Sequence, residues 1–210
     1  MVNNTNIINS EKEITFKPKE RVLKTLIEEK TPKSILSLSG SAVLDYKNTY
    51  NYIKEFAASG AIIQNPVGNT TLVEINLTSN SEIFSVEKKR TGEFLSKNNK
   101  LKIVKNYIEE LNYPFIIALI FGSYVKDEKT QNSDIDICII VDNKDKSKEL
   151  KEKLNLLSLR LEIHEFTTKE FILMIEKAQN NLGHEIIKSN IILYGIENYY
   201  NLISKWMKKE

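Results

Sequence analysis

The stretch FGSYVKDEKTQNSDIDICIIV, residues 121–141, decides the fold predicted for this chain. It follows an apolar, partly β-branched run at residues 114–120, and Gly122 interrupts that run, which predicts a buried strand. The end of the quoted stretch predicts a second strand. Because successive side chains along a strand point to opposite faces, Asp134 and Asp136 are expected to share one face.

Two carboxylates side by side on one strand face predict a cation site. They repel each other and lose solvation when buried, and a cation removes that cost. Hard oxygen ligands suit Mg²⁺, which commonly bridges carboxylates to substrate phosphates. The Gly122-Ser123 turn can hold a phosphate with its backbone N–H groups. Metal-binding carboxylates beside a phosphate cradle predict phosphoryl or nucleotidyl transfer. The structural alternative is an ordinary strand pair with two surface aspartates.

Gly-Ser, ten residues and then Asp-x-Asp resembles the signature of the polymerase-β-type nucleotidyltransferase superfamily. The nearest resemblance is to its minimal branch, the small stand-alone bacterial and archaeal enzymes. Their pattern is Gly-Ser-x-Ala-Arg-Gly-Glu, followed by Ser-Asp-Ile-Asp-Leu. This chain keeps Glu128 and the Ser133–Asp136 run, but it has Val125, Lys126 and Asp127 where the family has Ala, Arg and Gly. Lys126 keeps the positive charge without the forked donor geometry of arginine.

The resemblance implies a Mg²⁺-dependent enzyme that transfers a nucleoside monophosphate from a nucleoside triphosphate, most simply ATP, to an acceptor. Relatives modify proteins, RNA ends or small molecules, so the acceptor stays open. Minimal nucleotidyltransferases often act with a helical partner protein, which makes a protein partner a further expectation. The implied metal ligands are Asp134 and Asp136. The implied nucleotide-binding residues are Gly122, Ser123, Lys126 and Ser133.

The superfamily carries a third metal-binding carboxylate on a later strand, which is predicted here at residues 160–166. If Leu161 and Ile163 face the helices, alternation places Glu162 on the side of the two aspartates. Glu162 is therefore the first choice for a ligand that also deprotonates or orients the acceptor hydroxyl, and Glu165 is the second. A site without a third carboxylate, which binds nucleotide and catalyses poorly, is the remaining alternative.

Upstream, three helices and a β-hairpin are predicted within residues 11–77. The second helix is expected to begin with Thr31 as N-cap and Pro32 in its first position, and the third to follow Asp45 as N-cap. This layout resembles winged helix-turn-helix transcription regulators, which place the third helix in the DNA major groove. The residues expected to contact DNA are Lys47, Asn48, Asn51 and Lys54, with Asn69 at the hairpin tip.

The fold class expected is α+β, with a winged helix-turn-helix domain at residues 11–92 and a small mixed-sheet nucleotidyltransferase domain at residues 93–210. The polar run at residues 87–92 predicts a solvated linker face between them. The chain has 210 residues and a net charge of +2. No apolar run is long enough to span a membrane and no signal-peptide pattern is present, so a cytoplasmic protein is expected. The apolar C-terminal helix predicts core packing or a homodimer.

The competing hypothesis is a DNA-binding transcription regulator whose second domain is a degenerate nucleotide sensor or a dimerisation module. A net charge of +2 is small for a strong DNA binder. Basic residues clustered at Lys47, Lys54 and the hairpin would favour the regulator. Three converging carboxylates beside an open cleft would favour the enzyme.

Overall fold

The computed structural model describes residues 14–126, 128, 130, 133–177 and 179–207. Asp127 of the predicted motif and the first residues of the predicted N-terminal domain lie outside this range. The N-terminal part begins with helices and ends with a long helix after a small sheet. Its elements are α1 (Pro18–Glu29), β1 (Lys33–Ser34), α2 (Ile35–Ser41), α3 (Tyr46–Ala58), β2 (Ile62–Val67), β3 (Thr70–Ile75) and α4 (Ser81–Lys97). The three strands form an antiparallel sheet in the order β1-β3-β2.

The start of α3 agrees with the sequence, whereas the start of α2 does not. Asp45 caps α3, since its Oδ1 accepts a hydrogen bond from the Asn48 N–H at 2.9 Å. The prediction that Thr31 and Pro32 open the second helix is wrong. Lys33 and Ser34 instead pair with β3 as a short edge strand, and Ser34 caps α2. Pairing across the sheet therefore delays the helix beyond the local Thr-Pro signal.

The second part is a four-stranded sheet flanked by helices. Its elements are α5 (Lys102–Glu110), β4 (Ile117–Phe121), β5 (Ile135–Val141), α6 (Asp145–Asn155), β6 (Leu161–Thr167), α7 (Thr168–Ile175), α8 (Leu182–Lys188), β7 (Asn190–Tyr194) and α9 (Ile196–Met207). The strand order is β6-β5-β4-β7. The β5–β6 pair is parallel, and β4 is antiparallel to both of its neighbours. A short 3₁₀ turn at Gly122–Tyr124 follows β4 directly.

The two faces of this sheet belong to different hydrophobic cores. On one face, Ala118 and Ile137 pack with α5 and α6. On the other, Leu119 and Cys138 join a core that contains side chains of α7, α8 and α9 and also those of α1 to α3. Tyr199 of α9 is buried there, so core packing is the role that the structure shows for that helix. The N-terminal part and the sheet thus share one hydrophobic core.

Helix α4 joins the two parts and corrects the predicted linker. It runs without interruption through residue 92, where the domain boundary was predicted. Lys89 on α4 donates to Glu20 of α1, and Thr91 donates through its hydroxyl to the Ile192 carbonyl of β7 at 2.7 Å. The interpretation of residues 87–92 as a solvated linker face is therefore wrong. The division into two domains stays a prediction.

A buried ionic network explains how polar residues of α4 fit into the interior. Glu87 and Arg90 are 1% and 5% exposed, and their side chains pair at 2.5 Å. The Tyr200 hydroxyl donates to the second Glu87 oxygen at 2.8 Å. Arg90 also donates to the Asn190 carbonyl at 3.3 Å and lies 3.4 Å from Glu28. The charges satisfy one another, which is the condition under which ionised groups are buried.

Over the described part of the chain, every helix is too short or too polar to cross a lipid bilayer.

Candidate functional site

A carboxylate pair lies where β5 and β6 run side by side. Asp136 is the second residue of β5 and Glu162 the second residue of β6, and the two are in register. The next residue on this face of β6 is His164. Its Nε2 lies 3.4 Å from Glu162 Oε1 and 4.0 Å from Asp136 Oδ1. The His164 ring also packs against Phe121, with 5.4 Å between ring centroids, which helps fix its orientation.

Negative charge is concentrated around Asp136. Partial burial raises the pKa of Asp136, and the neighbouring Glu162 carboxylate raises it further. His164 acts in the opposite direction, while Glu185 and Asp134 add to the rise. A carboxylate held in this way favours a proton or a metal cation, because either relieves the repulsion.

The donor set fits a divalent metal ion. One ligand atom each from Asp136, Glu162 and His164 can be chosen so that all lie within 4.8 Å of one another. Carboxylate oxygens suit Mg²⁺ and Mn²⁺, whereas an imidazole nitrogen suits Mn²⁺ or a later transition metal better than Mg²⁺. These three residues would hold the ion, and its position would be at the edge of the sheet where β5 and β6 begin.

The structure does not bring Asp134 into this group. Strand β5 begins at Ile135, so Asp134 precedes the strand on which the alternation argument depends. Its side chain is 56% exposed and lies 3.7 Å from Arg160 Nε. The Asp134 charge nevertheless contributes to the raised pKa of Asp136. Asp136 is thus in register with Glu162 across two strands, and the role of Asp134 as a metal ligand stays a prediction.

Strand β6 places Glu162, and not Glu165, on the face that carries Asp136, as alternation predicts. Glu165 points to the opposite face of the sheet, where it accepts a hydrogen bond from Ser147 and lies 3.7 Å from Lys151. Glu165 thus interacts with side chains of α6 and does not face the candidate metal site. The same alternation also places His164 on the face that carries Glu162. The i, i+2 spacing of Glu162 and His164 was the signal that could have found it.

Gly122 allows the turn to approach Asp136. Its φ is +73°, in the region that favours glycine, and a Cβ added there would lie 2.2 Å from Asp136 Oδ2. Only a residue without a side chain lets the carboxylate take its present position. This glycine therefore couples the geometry of the turn to that of the candidate metal site.

Replacing Gly122 by Ala is expected to weaken metal binding as well as stability. The strained backbone costs about 1–2 kcal/mol of unfolding free energy, and the added methyl group displaces the Asp136 carboxylate. Urea denaturation and a Mn²⁺ titration measure the two effects. Gly68→Ala is the matched control, because Gly68 also has a positive φ (+56°) but no atom within 4 Å of an added Cβ. Equal metal affinity in the two variants would contradict the proposed coupling.

Of the predicted nucleotide-binding residues, Gly122 and Ser123 lie in the turn, and Lys126 and Ser133 follow it in the chain. Ser123 is half-buried in the 3₁₀ turn, and its carbonyl accepts from the Glu128 N–H at 3.1 Å. Lys126 is exposed and forms a 3.0 Å ion pair with Glu185 of α8, which raises the Lys126 pKa. The Ser133 hydroxyl accepts from the Thr130 N–H at 2.8 Å. Their roles in nucleotide binding stay a prediction.

The residues predicted to contact DNA lie on the surface, away from these carboxylates. Lys47, Asn48, Asn51, Lys54 and Asn69 are all exposed. The Asn48 amide donates to Asp45 Oδ2 at 2.6 Å, and the Lys54 ammonium lies 4.5 Å from the centre of the Tyr50 ring. The hairpin of β2 and β3 carries Glu74 and neither lysine nor arginine. A basic cluster that extends from α3 onto the hairpin is therefore not formed.

Comparison with known proteins gives a family-model match over part of the chain. Residues 102–199 match the family model described as polymerase beta, nucleotidyltransferase. This match supports the nucleotidyltransferase superfamily for the segment that contains the candidate site. No curated protein matches the chain. A solved structure described as the crystal structure of a toxin-antitoxin with AMP-PNP is similar at 17% identity, with 50% of this chain and 86% of that chain covered and a TM-score of 0.30.

Proposed function

We propose that this protein is a divalent-metal-dependent nucleotidyltransferase that moves a nucleoside monophosphate from a nucleoside triphosphate, ATP in the first instance, to an acceptor hydroxyl. The observation that carries the proposal is the convergence of Asp136, Glu162 and His164 beside the Gly122 turn. It lies within the segment that matches a nucleotidyltransferase family model. Mg²⁺ and Mn²⁺ are the ions proposed for the site.

Each residue has a defined task in this mechanism. Asp136 and Glu162 hold the metal, which when bound neutralises charge on the triphosphate. The Gly122–Tyr124 turn presents backbone N–H groups to the β- and γ-phosphates. Lys126 exchanges its ion pair with Glu185 for a phosphate oxygen. Glu162, whose side chain is 59% exposed, is accessible to the acceptor and orients or deprotonates its hydroxyl.

The experiment that tests the proposal incubates the full chain with nucleoside triphosphates labelled at the α-phosphate. Each reaction contains Mg²⁺ or Mn²⁺, with the protein itself, RNA or a set of hydroxyl-bearing small molecules as acceptors. Label on an acceptor, together with release of pyrophosphate and loss of both in EDTA, is the expected result. Nucleotide binding without transfer or pyrophosphate release across the whole acceptor set would count against the enzyme.

For the N-terminal part we infer a winged-helix module that binds DNA or a protein partner. Three helices followed by a hairpin, with β1 completing a sheet of order β1-β3-β2, support this inference. The hypothesis of a DNA-binding regulator predicts basic residues on both α3 and the hairpin. The hairpin lacks them, so the charge distribution favours the enzyme over a DNA-binding regulator.

Replacing His164 by Gln is expected to change the metal preference of the site. Loss of the imidazole should lower Mn²⁺ affinity by roughly tenfold and leave Mg²⁺ affinity nearly unchanged, since Mg²⁺ prefers oxygen ligands. Electron paramagnetic resonance of bound Mn²⁺, with Mg²⁺ as competitor, measures both affinities. Glu165→Gln, on the same strand but the other face, is the control and should alter neither. An equal loss for both ions would show that His164 does not select the metal.

A further inference from the structure

A second feature, separate from the carboxylates, is a cleft between the N-terminal helices and the edge of the four-stranded sheet. It has a volume of about 350 Å³ and opens beside Tyr124 and Val125, directly after the Gly122 turn. Five cationic side chains line it, whereas its acidic lining consists of Glu28 and Glu93. The cationic side chains are Lys24, Lys30, Arg90, Lys97 and Lys188. The described lining therefore carries an excess of three positive charges.

The two glutamates are already paired within the wall of the cleft. Glu93 accepts from Lys24 at 2.7 Å and from Lys97 at 3.1 Å. Glu28 lies 3.4 Å from Arg90, whose main partner is the buried Glu87 behind the wall. These pairs account for three of the five cations.

No carboxylate of a described residue lies within 4 Å of the Lys30 or the Lys188 ammonium group. Neither lysine therefore has an acidic partner in the described part of the chain. The Lys30 ammonium donates to the Ile187 carbonyl at 2.5 Å, a neutral acceptor at the end of α8. Burial lowers the pKa of Lys30 to about 8, and the more distant Glu87 charge offsets this only in part. A partly desolvated ammonium that donates to a carbonyl is stabilised by an anion, because an opposite charge offsets the lost hydration.

The cleft lies close to the candidate metal site without being part of it. Phe121, the last residue of β4, pairs with Asp136 on one side and with Asn190 on the other. Asn190 lines the cleft. Two strand spacings, about 10 Å, therefore separate this wall from Asp136. None of the three candidate metal ligands lines the cleft.

We propose that this cleft is a binding site for a phosphate-bearing ligand, held by Lys30 and Lys188 against the basic wall formed by α1 and α4. A phosphate group brings two negative charges and several acceptor oxygens, which matches two ammonium groups that lack a carboxylate partner in the described structure. The ligand is a small phosphate ester or the phosphorylated end of a polynucleotide, since both offer the same chemistry. The proposal concerns binding and does not depend on nucleotidyl transfer.

The test is a calorimetric titration of the full chain with tripolyphosphate in EDTA at fixed ionic strength. Lys30→Met and Lys188→Gln are each expected to weaken binding about tenfold, the effect of losing one charged hydrogen bond. Lys148→Gln is the matched control, because Lys148 is an exposed lysine on α6 outside the cleft. Its affinity should equal that of the unaltered chain. If Lys30→Met fails to fold, the affinity of the Lys188→Gln variant tests the proposal, because Lys188 is exposed.

Three results would overturn the proposal. The first is equal affinity for Lys188→Gln and Lys148→Gln. The second is a loss confined to Lys126→Gln, which would place the anion at the Gly122 turn.

Nucleoside 5′-monophosphates and short oligonucleotides with a 5′-phosphate then distinguish the two ligand sources. Oligonucleotides with a 5′-hydroxyl should bind at least tenfold more weakly than their phosphorylated forms, and equal binding would also contradict the proposal.

Discussion

Replacing Asp136 by Asn is expected to reduce nucleotidyl transfer on the order of 10²–10³-fold or more, because the amide loses the charge that faces the metal and its nucleotide. Asp136 adjoins Glu162, His164 and Gly122. It is in register with Glu162, lies 4.0 Å from His164 and restricts the residue at position 122 to glycine. No other described carboxylate occupies a comparable position.

The same substitution should leave folding intact or improve it. Burial and the Glu162 charge raise the pKa of Asp136, so the folded protein holds its proton more tightly than the unfolded chain does. The free energy of unfolding therefore falls as pH rises through the interval between the two pKa values, and the uncharged amide of the variant would remove that loss. Urea denaturation at neutral pH measures the change in unfolding free energy, and transfer of the labelled nucleotide measures the loss of activity. Transfer at the original rate by the Asp136→Asn variant would show that the reaction occurs elsewhere.

Replacing Arg90 by Met is expected to cost about 3–5 kcal/mol of unfolding free energy, the largest stability effect anticipated in this chain. The substitution leaves the Glu87 carboxylate, 1% exposed, without its cationic partner. It also removes the hydrogen bond to the Asn190 carbonyl, which ties α4 to β7. Urea denaturation of the purified variant measures the loss.

A double variant separates charge from packing at this site. Glu87→Gln together with Arg90→Met should recover much of the lost stability, since no buried charge is then unpaired and Gln still accepts from the Tyr200 hydroxyl. Lys97→Met on the same helix is the control, because Lys97 is exposed and its pair with Glu93 should contribute little. A loss for Arg90→Met no larger than that for Lys97→Met would mean that the network does not stabilise the fold.

Local patterns were sufficient where neighbours in sequence determine the structure. The strand before Gly122, the Asp45 cap and the side of β6 that carries Glu162 all follow from short-range rules. Each depends on a short apolar run, on strand alternation or on a side chain within three residues, and the structure contains each of these features. The segment that matches the nucleotidyltransferase family model is also the segment that carried the resemblance.

The features that the sequence did not predict depend on contacts between residues far apart in the chain. Residues 87–92 are polar in sequence, yet Glu87 and Arg90 are buried because their charges meet each other and Tyr200. Lys33 and Ser34 form a strand only because β3 lies beside them. Asp134 precedes β5, which begins at Ile135, so strand alternation does not fix its side chain beside Asp136. None of these contacts leaves a local periodicity, so the sequence pattern could not reveal them.

The continuity of α4 has a consequence for how this protein can be divided. A cut at residue 92 would split one helix, open a hydrophobic core shared by both halves and separate Thr91 from its partner on β7. Each fragment would lack part of its hydrophobic core. Deleting one half would therefore disturb the structure of the other half and would not assign its activity. Because both parts share this core, we expect a ligand bound at the cleft or at the carboxylates to stabilise the N-terminal part and the sheet together.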